Sequence, residues 1–317
     1  MYRDPKDCMS PPPPGAVQCA SLGDKPLDAK EDSLFANPEV HVVCVLTGDW
    51  PGATREHREK MKDIGAHYVE CLYSMVSRYA PRNMRWNFTC FTDRANIQGV
   101  PCQPIPSGIY GFFNKLYLFK KGLFPENARV LYFDLDTCLV ADWTPLATVP
   151  LDKLVLLRDV WAQSQPASGV MSWRVSNELS KIWSDYERYA GQRPPYTHPN
   201  PRRYSHGVPG GPMPNNIRTD EQWLYHYTLP HDWSAWQTLL PGKFLSYKYD
   251  VLRQHRHDGT QFNRLSPEAA RAAHVVYFHG RPRPHEVVAK WNPFWRGLIE
   301  APPPVVTAGA INHDFGN

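Results

Sequence analysis

Short apolar runs alternate along the chain with segments in which apolar residues recur at helical spacing. The runs are nearly continuous and rich in β-branched and aromatic residues, which is typical of strands buried on both faces. They span 39–47, 86–93, 128–136, 153–157, 244–249 and 274–280. Helices are predicted over 66–79, 112–121 and 174–190, and Thr-Asp-Glu-Gln at 219–222 is a capping box that opens a further helix. The alternation predicts an α/β fold with a mainly parallel sheet covered on both faces.

Composition and charge exclude several classes of protein. The chain has 317 residues, is 42% hydrophobic and contains 11 Trp, so it can bury a sizeable core and is not disordered throughout. Its net charge is +4 without any block of basic residues, which argues against a nucleic-acid arm or a polybasic membrane patch. No apolar run approaches the ~20 residues of a membrane span, and the first residues lack the apolar segment of a signal peptide. The seven cysteines, an odd number without CxxC spacing, favour a reducing compartment, so we expect a cytoplasmic protein.

The 32 prolines are concentrated in a few regions and indicate how the chain is organised. We expect 1–38 to be a disordered leader, 39–300 to form one domain and 301–317 to be a flexible tail. Within the domain, 193–218 is too rich in Pro and Gly for a helix or a central strand. A loop of this length is usually functional or disordered, and a lid over an acceptor is one interpretation; a plain exposed connection is equally consistent.

The strongest chemical signal follows the apolar run Val130–Phe133. Asp134 and Asp136 come directly after it, and strand alternation would place both carboxylates on one side and Leu135 on the other. Two converging carboxylates repel one another unless a divalent cation lies between them. Hard oxygen ligands suit Mn²⁺ or Mg²⁺, which often also bind a substrate phosphate. We therefore predict a metal site; the alternative is a pair of carboxylates that caps the following turn.

A second interpretation of the same run is a phosphatase. FDLDTCLV at 133–140 is similar to the haloacid-dehalogenase signature, in which the first Asp is a nucleophile. That signature wants Thr or Val four residues after the first Asp, where this chain has Cys138. The signature also normally opens its domain, whereas the domain predicted here begins near residue 39. The metal site is therefore the preferred interpretation.

Beyond this motif, the chain resembles the GT-A glycosyltransferases, and among them the retaining family-8-like enzymes of bacteria and phages. The resemblance covers about residues 39–296 and rests on four segments that occur in the family's order. They are 112–143, which contains the DxD motif, ASGVMSW at 167–173, DEQWLY at 220–225 and VVYFHGRPRPHE at 275–286. It implies a Rossmann-like α/β/α sandwich with a nucleotide-sugar cleft at the carboxyl edge of the sheet. It also implies a donor that is most often a UDP-sugar, and a metal that bridges the donor's diphosphate.

The closing segment departs from the family's pattern in a way that affects the metal site. The family's metal-binding His aligns with Tyr277, whereas this chain has His279 two residues later, which keeps the same strand face. We expect His279 to be the third metal ligand beside Asp134 and Asp136; the alternative is a hydrogen bond to backbone or donor. Arg283 stands where the family's Lys reaches the diphosphate, with Arg281 and His285 as weaker candidates; the alternative for all three is a solvated basic turn.

Other residues are expected to contact the donor. Lys115 falls where the family has a basic residue near the donor. The closing segment at 275–286 shares the family's glycine at Gly280, which is also expected to contact the donor. Asp134 is expected to contact the donor as well as the metal. The alternative for Lys115 is a surface lysine. Thr47 and Asp93 end strands and should lie along the cleft, near the nucleobase or ribose, although a turn role is equally consistent.

Asp220 and Glu221 are the expected catalytic residues. The resemblance places the second position beneath the anomeric carbon, where the family commonly has Gln and this chain has Glu221. A carboxylate there is suited to act as a nucleophile or to stabilise an oxocarbenium-like centre. The alternative is a pair of acids at a helix start, which the helix dipole favours.

Different function classes stay open at this stage. A nucleotidyltransferase would share the strand and the carboxylates but would normally show a Gly-rich basic loop, of which LTGDWPGATRE at 46–56 is a poor version. The other open function classes are a phosphatase and a catalytically silent nucleotide-sugar-binding module. The acceptor is open among glycans, lipids, proteins and modified nucleic acids.

Overall fold

A computed structural model describes residues 40–48, 58, 64–94, 97–106, 109, 111–160, 162–191, 219–228, 232–252 and 272–287. The predicted leader, the Pro/Gly-rich loop and the tail lie outside these residues. The strands are β1 (Val40–Leu46), β2 (Trp86–Thr92), β3 (Cys102–Pro104), β4 (Arg129–Phe133), β5 (Thr137–Leu139), β6 (Leu154–Arg158), β7 (Pro166–Arg174), β8 (Trp233–Ala235), β9 (Phe244–Ser246) and β10 (Val275–Tyr277).

Seven of these strands form a central sheet in the order β3-β2-β1-β4-β7-β6-β8. Strand β1 is parallel to both its neighbours, so that Val42 lies between Phe88 and Leu131. Strand β7 is antiparallel to β4 and β6, whereas the other pairs in this sheet are parallel. The predicted α/β class with a mainly parallel sheet is therefore confirmed.

Helices cover both faces of this sheet because its strands are apolar on both sides. The helices are α1 (Ala66–Arg78), a 3₁₀ helix (Gly111–Phe119), α2 (Thr144–Thr148), α3 (Lys181–Gly191), α4 (Asp220–Tyr227), α5 (Trp236–Leu239), a π-helix (Tyr247–Val251) and α6 (Pro284–Val287). In β1, Val42 belongs to the core that contains Leu72 of α1. The next residue, Val43, belongs to the opposite core, with Leu116 of the 3₁₀ helix and Trp183 of α3.

A second, three-stranded sheet brings the end of the described chain to the DxD region. Its order is β5-β10-β9, and β10 is antiparallel to β5 with Tyr277 opposite Thr137. The residues that follow Tyr277 are therefore adjacent to those that precede Thr137. This pairing places the closing segment beside Asp136.

Several predicted elements have different bounds in the structure. The strand predicted over 128–136 ends at Phe133, so Asp134 and Asp136 lie in the turn before β5, and strand alternation is not what orients them. The helix predicted over 174–190 begins only at Lys181, because 166–174 continue as β7. The strand predicted over 244–249 gives way to the π-helix at Tyr247. Within the described residues, no helix has both the length and the apolarity that a membrane crossing requires.

Candidate functional site

Three neighbouring parallel strands end at one edge of the central sheet, and a cavity of about 380 Å³ opens there. Thr47 follows β1, Arg94 comes shortly after β2, and Asp134 follows β4; all three line the cavity. Ligands in open α/β sheets bind beyond the carboxyl ends of the strands, and this cavity has that position. The predicted site residues that line it are Thr47, Lys115, Asp134, Asp136, Asp220, Glu221, His279, Gly280 and Arg283.

Asp134 is held by two donors. Lys115 Nζ lies 3.0 Å from its Oδ2 and 2.9 Å from its Oδ1, and the Tyr132 hydroxyl donates to Oδ1 at 2.5 Å. The backbone of Asp134 is fixed as well, since its N–H donates to the Gly169 carbonyl at 2.8 Å. The carboxylate therefore has a defined direction into the cavity before any ligand is present.

Asp136 is paired with Arg283, whose guanidinium donates to Oδ2. The two residues are 147 positions apart in the chain, and both side chains are largely buried. Burial, with the nearby charge of Asp134, raises the pKa of Asp136 to about 6, although Arg283 and Lys115 act in the opposite direction. The DxD carboxylates thus each contact a cation of the chain itself.

Lys115 connects the DxD motif to the start of α4. Besides Asp134, its ammonium donates to Ser168 Oγ at 3.0 Å and lies 3.4 Å from Asp220 Oδ2. The Ser168 hydroxyl in turn donates to Asp220 Oδ2 at 2.5 Å. Burial alone would lower the pKa of Lys115, but the carboxylates of Asp134 and Asp220 outweigh it and raise that pKa, so the lysine is charged.

Asp220 and Glu221 begin α4, and the predicted cap is present. The Thr219 side chain accepts a hydrogen bond from the Gln222 N–H at 3.2 Å. Asp220 is buried, whereas Glu221 is partly exposed to the cavity. Burial, together with the charge of Asp220, raises the pKa of Glu221 to about 8. Near neutral pH Glu221 is therefore mainly protonated.

His279 places a buried, neutral imidazole in the cavity. Its Nε2 is buried, with no hydrogen-bond partner in the described structure, and burial lowers its pKa to about 4, so the imidazole is neutral. Thr137 Oγ1, also a cavity residue, is buried and unpartnered in the same sense. Two carboxylates and a neutral imidazole suit Mn²⁺ or Mg²⁺ chemically. However, no three His, Cys, Asp or Glu side chains among the described residues are grouped closely enough to hold a metal ion.

The remaining predicted donor contacts differ in how directly they face the cavity. Thr47 lines it and accepts a hydrogen bond from Asn114 Nδ2 at 2.8 Å. Asp93 is exposed and holds the backbone instead, accepting from the Gly48 N–H at 2.8 and 3.0 Å. Gly280 lines the cavity with φ +65°, a conformation that glycine adopts without strain. Of the weaker candidates, Arg281 pairs with Glu286, and His285 Nδ1 lies 2.5 Å from the Tyr68 hydroxyl.

Sequence reasoning did not select three residues that the structure places in the site. Tyr132 and Ser168 contact the charged network, and Asn114 is buried against Thr47. Ser168 lies within ASGVMSW, one of the segments that carry the family resemblance, so its place in the site could have been predicted from that segment. Tyr132 lies within a run that predicts only an apolar strand, and Asn114 within a segment that predicts only a helix.

Comparisons with known proteins found matches among solved structures. No family model matches the chain, and none of the curated proteins matches its sequence. Among solved structures, the apo form of glycosyltransferase GlyE from Streptococcus pneumoniae TIGR4 is 15% identical over 83% of this chain and 59% of that chain, with a TM-score of 0.47. The galactosyltransferase LgtC, in complex with donor and acceptor sugar analogs, is 12% identical over 82% of this chain and 94% of that chain, with a TM-score of 0.46. The bifunctional glycosyltransferase WbbM, in its apo form, is 10% identical over 86% of this chain and 52% of that chain, with a TM-score of 0.47.

These three solved structures are glycosyltransferases. The chain spans 59% of the length of GlyE and 52% of that of WbbM, but almost the whole of LgtC.

Proposed function

We propose that this protein is a metal-dependent glycosyltransferase that moves a sugar from a nucleotide-sugar donor, preferentially a UDP-sugar, to an acceptor. The observation that carries the proposal is the meeting of the DxD carboxylates, Lys115, Arg283 and the acidic start of α4 around one cavity at the carboxyl edge of the sheet. This reaction requires three kinds of group: carboxylates that bind a cation, cations that bind a diphosphate, and acids near the reacting carbon of the sugar.

Asp134, Asp136 and His279 are the residues that would hold Mn²⁺ or Mg²⁺. The unpartnered Nε2 of His279 and the two carboxylates in the same cavity support this assignment. When bound, the metal supplies Lewis acidity that offsets the charge developing on the departing nucleoside diphosphate.

Lys115 and Arg283 are suited to bind the donor's phosphates. Both are charged groups largely withdrawn from water, with side chains 13% and 9% exposed, so their attraction for phosphate oxygens is little screened. The Arg283 guanidinium offers two parallel N–H donors, and the Lys115 ammonium already contacts Asp134, Ser168 and Asp220. These residues orient the diphosphate and leave the sugar towards α4.

Asp220 and Glu221 are assigned to the anomeric centre, and we propose that the transfer retains configuration. Asp220 is fixed by Ser168 and Lys115, whereas Glu221 has freedom to face a sugar in the cavity. Because the pKa of Glu221 is about 8, it must lose a proton before it can act as a carboxylate. Glu221→Gln should therefore keep donor binding but reduce turnover at least about a hundredfold. Near-normal turnover would remove Glu221 from the chemistry.

We also propose a cytoplasmic location, in agreement with the cysteine chemistry. Cys44, Cys71, Cys90, Cys102 and Cys138 are free thiols in the structure. Free thiols of this number are typical of a reducing compartment.

A panel of nucleotide sugars tests the reaction class. The purified chain is incubated with Mn²⁺ and each sugar in turn, and the released product is identified by chromatography. Release of UDP is expected. Release of pyrophosphate would instead indicate a nucleotidyltransferase and release of inorganic phosphate a phosphatase, and the absence of any release would indicate a binding module.

A further inference from the structure

Both DxD carboxylates contact a cation that belongs to the chain. Lys115 Nζ lies 2.9 Å from Asp134, and the Arg283 guanidinium is bonded to Asp136. The Arg283–Asp136 pair is the more enclosed of the two, with side chains 9% and 14% exposed. A metal that binds Asp136 must therefore compete with a guanidinium that is already in place.

The charges that line the cavity are balanced before any ligand enters. Among the described lining residues, the cations are Arg94, Lys115 and Arg283, and the acids are Asp134, Asp136, Asp220 and Glu221. Glu221, whose pKa is raised to about 8, is protonated near pH 7, so three positive charges balance three carboxylates. A divalent cation alone would add two positive charges to this poorly solvated site, which is unfavourable. The same cation together with a diphosphate adds no net positive charge. The diphosphate also offers a new partner to the Arg283 guanidinium when the metal displaces it from Asp136.

The backbone around Arg283 is anchored, so that its side chain is the part able to move. The Arg283 N–H donates to Glu286 Oε2 at 2.6 Å, and Arg281 pairs with the same Glu286. His285 Nδ1 lies 2.5 Å from the Tyr68 hydroxyl, which ties α6 to α1. Moving the guanidinium from Asp136 to a phosphate therefore requires side-chain rotation alone.

Resting on the function proposed above, we propose that Arg283 is an internal counterion that makes metal binding depend on the diphosphate. While no diphosphate is bound, the guanidinium pairs with Asp136 and weakens the binding of the metal alone. When a nucleoside diphosphate or its sugar derivative enters, the guanidinium moves to the phosphates and releases Asp136 to the metal. Because binding free energies are linked, the metal must strengthen nucleotide binding by the same factor.

Calorimetric titration of Mn²⁺ at pH 7, with and without saturating UDP, tests this coupling. In the natural protein, UDP should tighten Mn²⁺ binding by about tenfold or more. In Arg283→Gln, Mn²⁺ alone should bind about tenfold more tightly than in the natural protein, and the effect of UDP should shrink. Arg283→Lys keeps the charge and should keep the coupling. Arg188→Gln removes an arginine from a surface pair with Asp185 and is the matched control, with Mn²⁺ binding unchanged.

The outcomes separate this inference from the proposed function. Equal Mn²⁺ affinity with and without UDP in the natural protein would overturn the coupling, whatever the variants do. Mn²⁺ binding to a folded Arg283→Gln variant that is no tighter than to the natural protein would also overturn it, while leaving the metal site intact. Failure to bind Mn²⁺ under all conditions would overturn the metal site and the coupling together.

Discussion

Replacing Glu221 by Gln should stabilise the protein at high pH and leave its stability at low pH nearly unchanged. Folding raises the pKa of this side chain from the ordinary 4.5 to about 8, with burial as the main cause and Asp220 as the second. Between these two values the folded protein holds a proton that the unfolded chain has lost. The free energy of unfolding therefore falls as the pH rises through this window. Glutamine is isosteric with the protonated acid and has no proton to lose, so the variant avoids this decrease.

The size of the effect follows from the difference between the two pKa values. The values 4.5 and about 8 give an upper limit of about 5 kcal/mol at 1.36 kcal/mol per pKa unit. Glu221 keeps part of its surface towards the solvent-filled cavity, and screening there reduces the expected gain to about 2 kcal/mol at pH 9. That gain corresponds to about 5 °C in Tm for a domain of this size.

Urea unfolding at pH 5, 7 and 9 measures this gain. The difference in free energy of unfolding between Glu221→Gln and the natural protein should be near zero at pH 5 and should grow steadily to pH 9. Glu187→Gln on α3, where the side chain is exposed, is the matched control and should show no such trend. A difference that is the same at pH 5 and pH 9 would refute the reasoning, because Glu221 would then not change its protonation between them.

Three further substitutions test the local structure of the site and its supports. Lys115→Gln should lower the free energy of unfolding by about 3 kcal/mol at pH 7, because it removes the cation that pairs with Asp134 and with the buried Asp220. The loss should be smaller at acid pH, where Asp220, whose pKa is raised, takes up its proton. Equal losses at both pH values in urea titrations would contradict this. Thr219→Ala removes the side-chain cap of α4 and should cost about 1 kcal/mol in the same assay, whereas Thr219→Ser should cost little. Gly122→Ala should cost about 1 kcal/mol through backbone strain alone, since φ is +80° and an added Cβ meets nothing within 4 Å; an unchanged Tm would show that the strain is absent.

Much of the sheet could be predicted from the sequence because its strands are buried on both faces. The run Val130–Phe133 is apolar at every position. The strand, and the position of the two carboxylates after it, could therefore be predicted without knowing which strands lie beside it. By contrast, β3, β5 and β8 have three residues each, too few for a pattern to appear. Strand β7 was missed because Ser168, Gly169 and Ser172 interrupt its apolar positions.

The charged residues of the site could be listed from the sequence, but their partners could not. The pairing of Asp136 with Arg283 spans 147 positions, and the hydrogen bond from Ser168 to Asp220 spans 52. Such contacts depend on strand order, in particular on the pairing of β10 with β5. The raised pKa of Glu221 likewise results from burial beside Asp220, which only the folded chain shows. Asp134 and Asp136 both line the cavity, but Leu135, predicted to lie on the other side, lines it too, because the three residues lie in the turn after β4 and not in a strand.

The central claim is that Asp134 and Asp136 hold a metal ion beside a nucleoside diphosphate. A crystal soaked with Mn²⁺ and UDP, measured for anomalous scattering at the manganese edge, tests it most directly. We predict one strong anomalous peak in contact with both carboxylates and with His279, and density for the diphosphate next to it. A cavity without such a peak, in a crystal where UDP is bound there, would contradict the account.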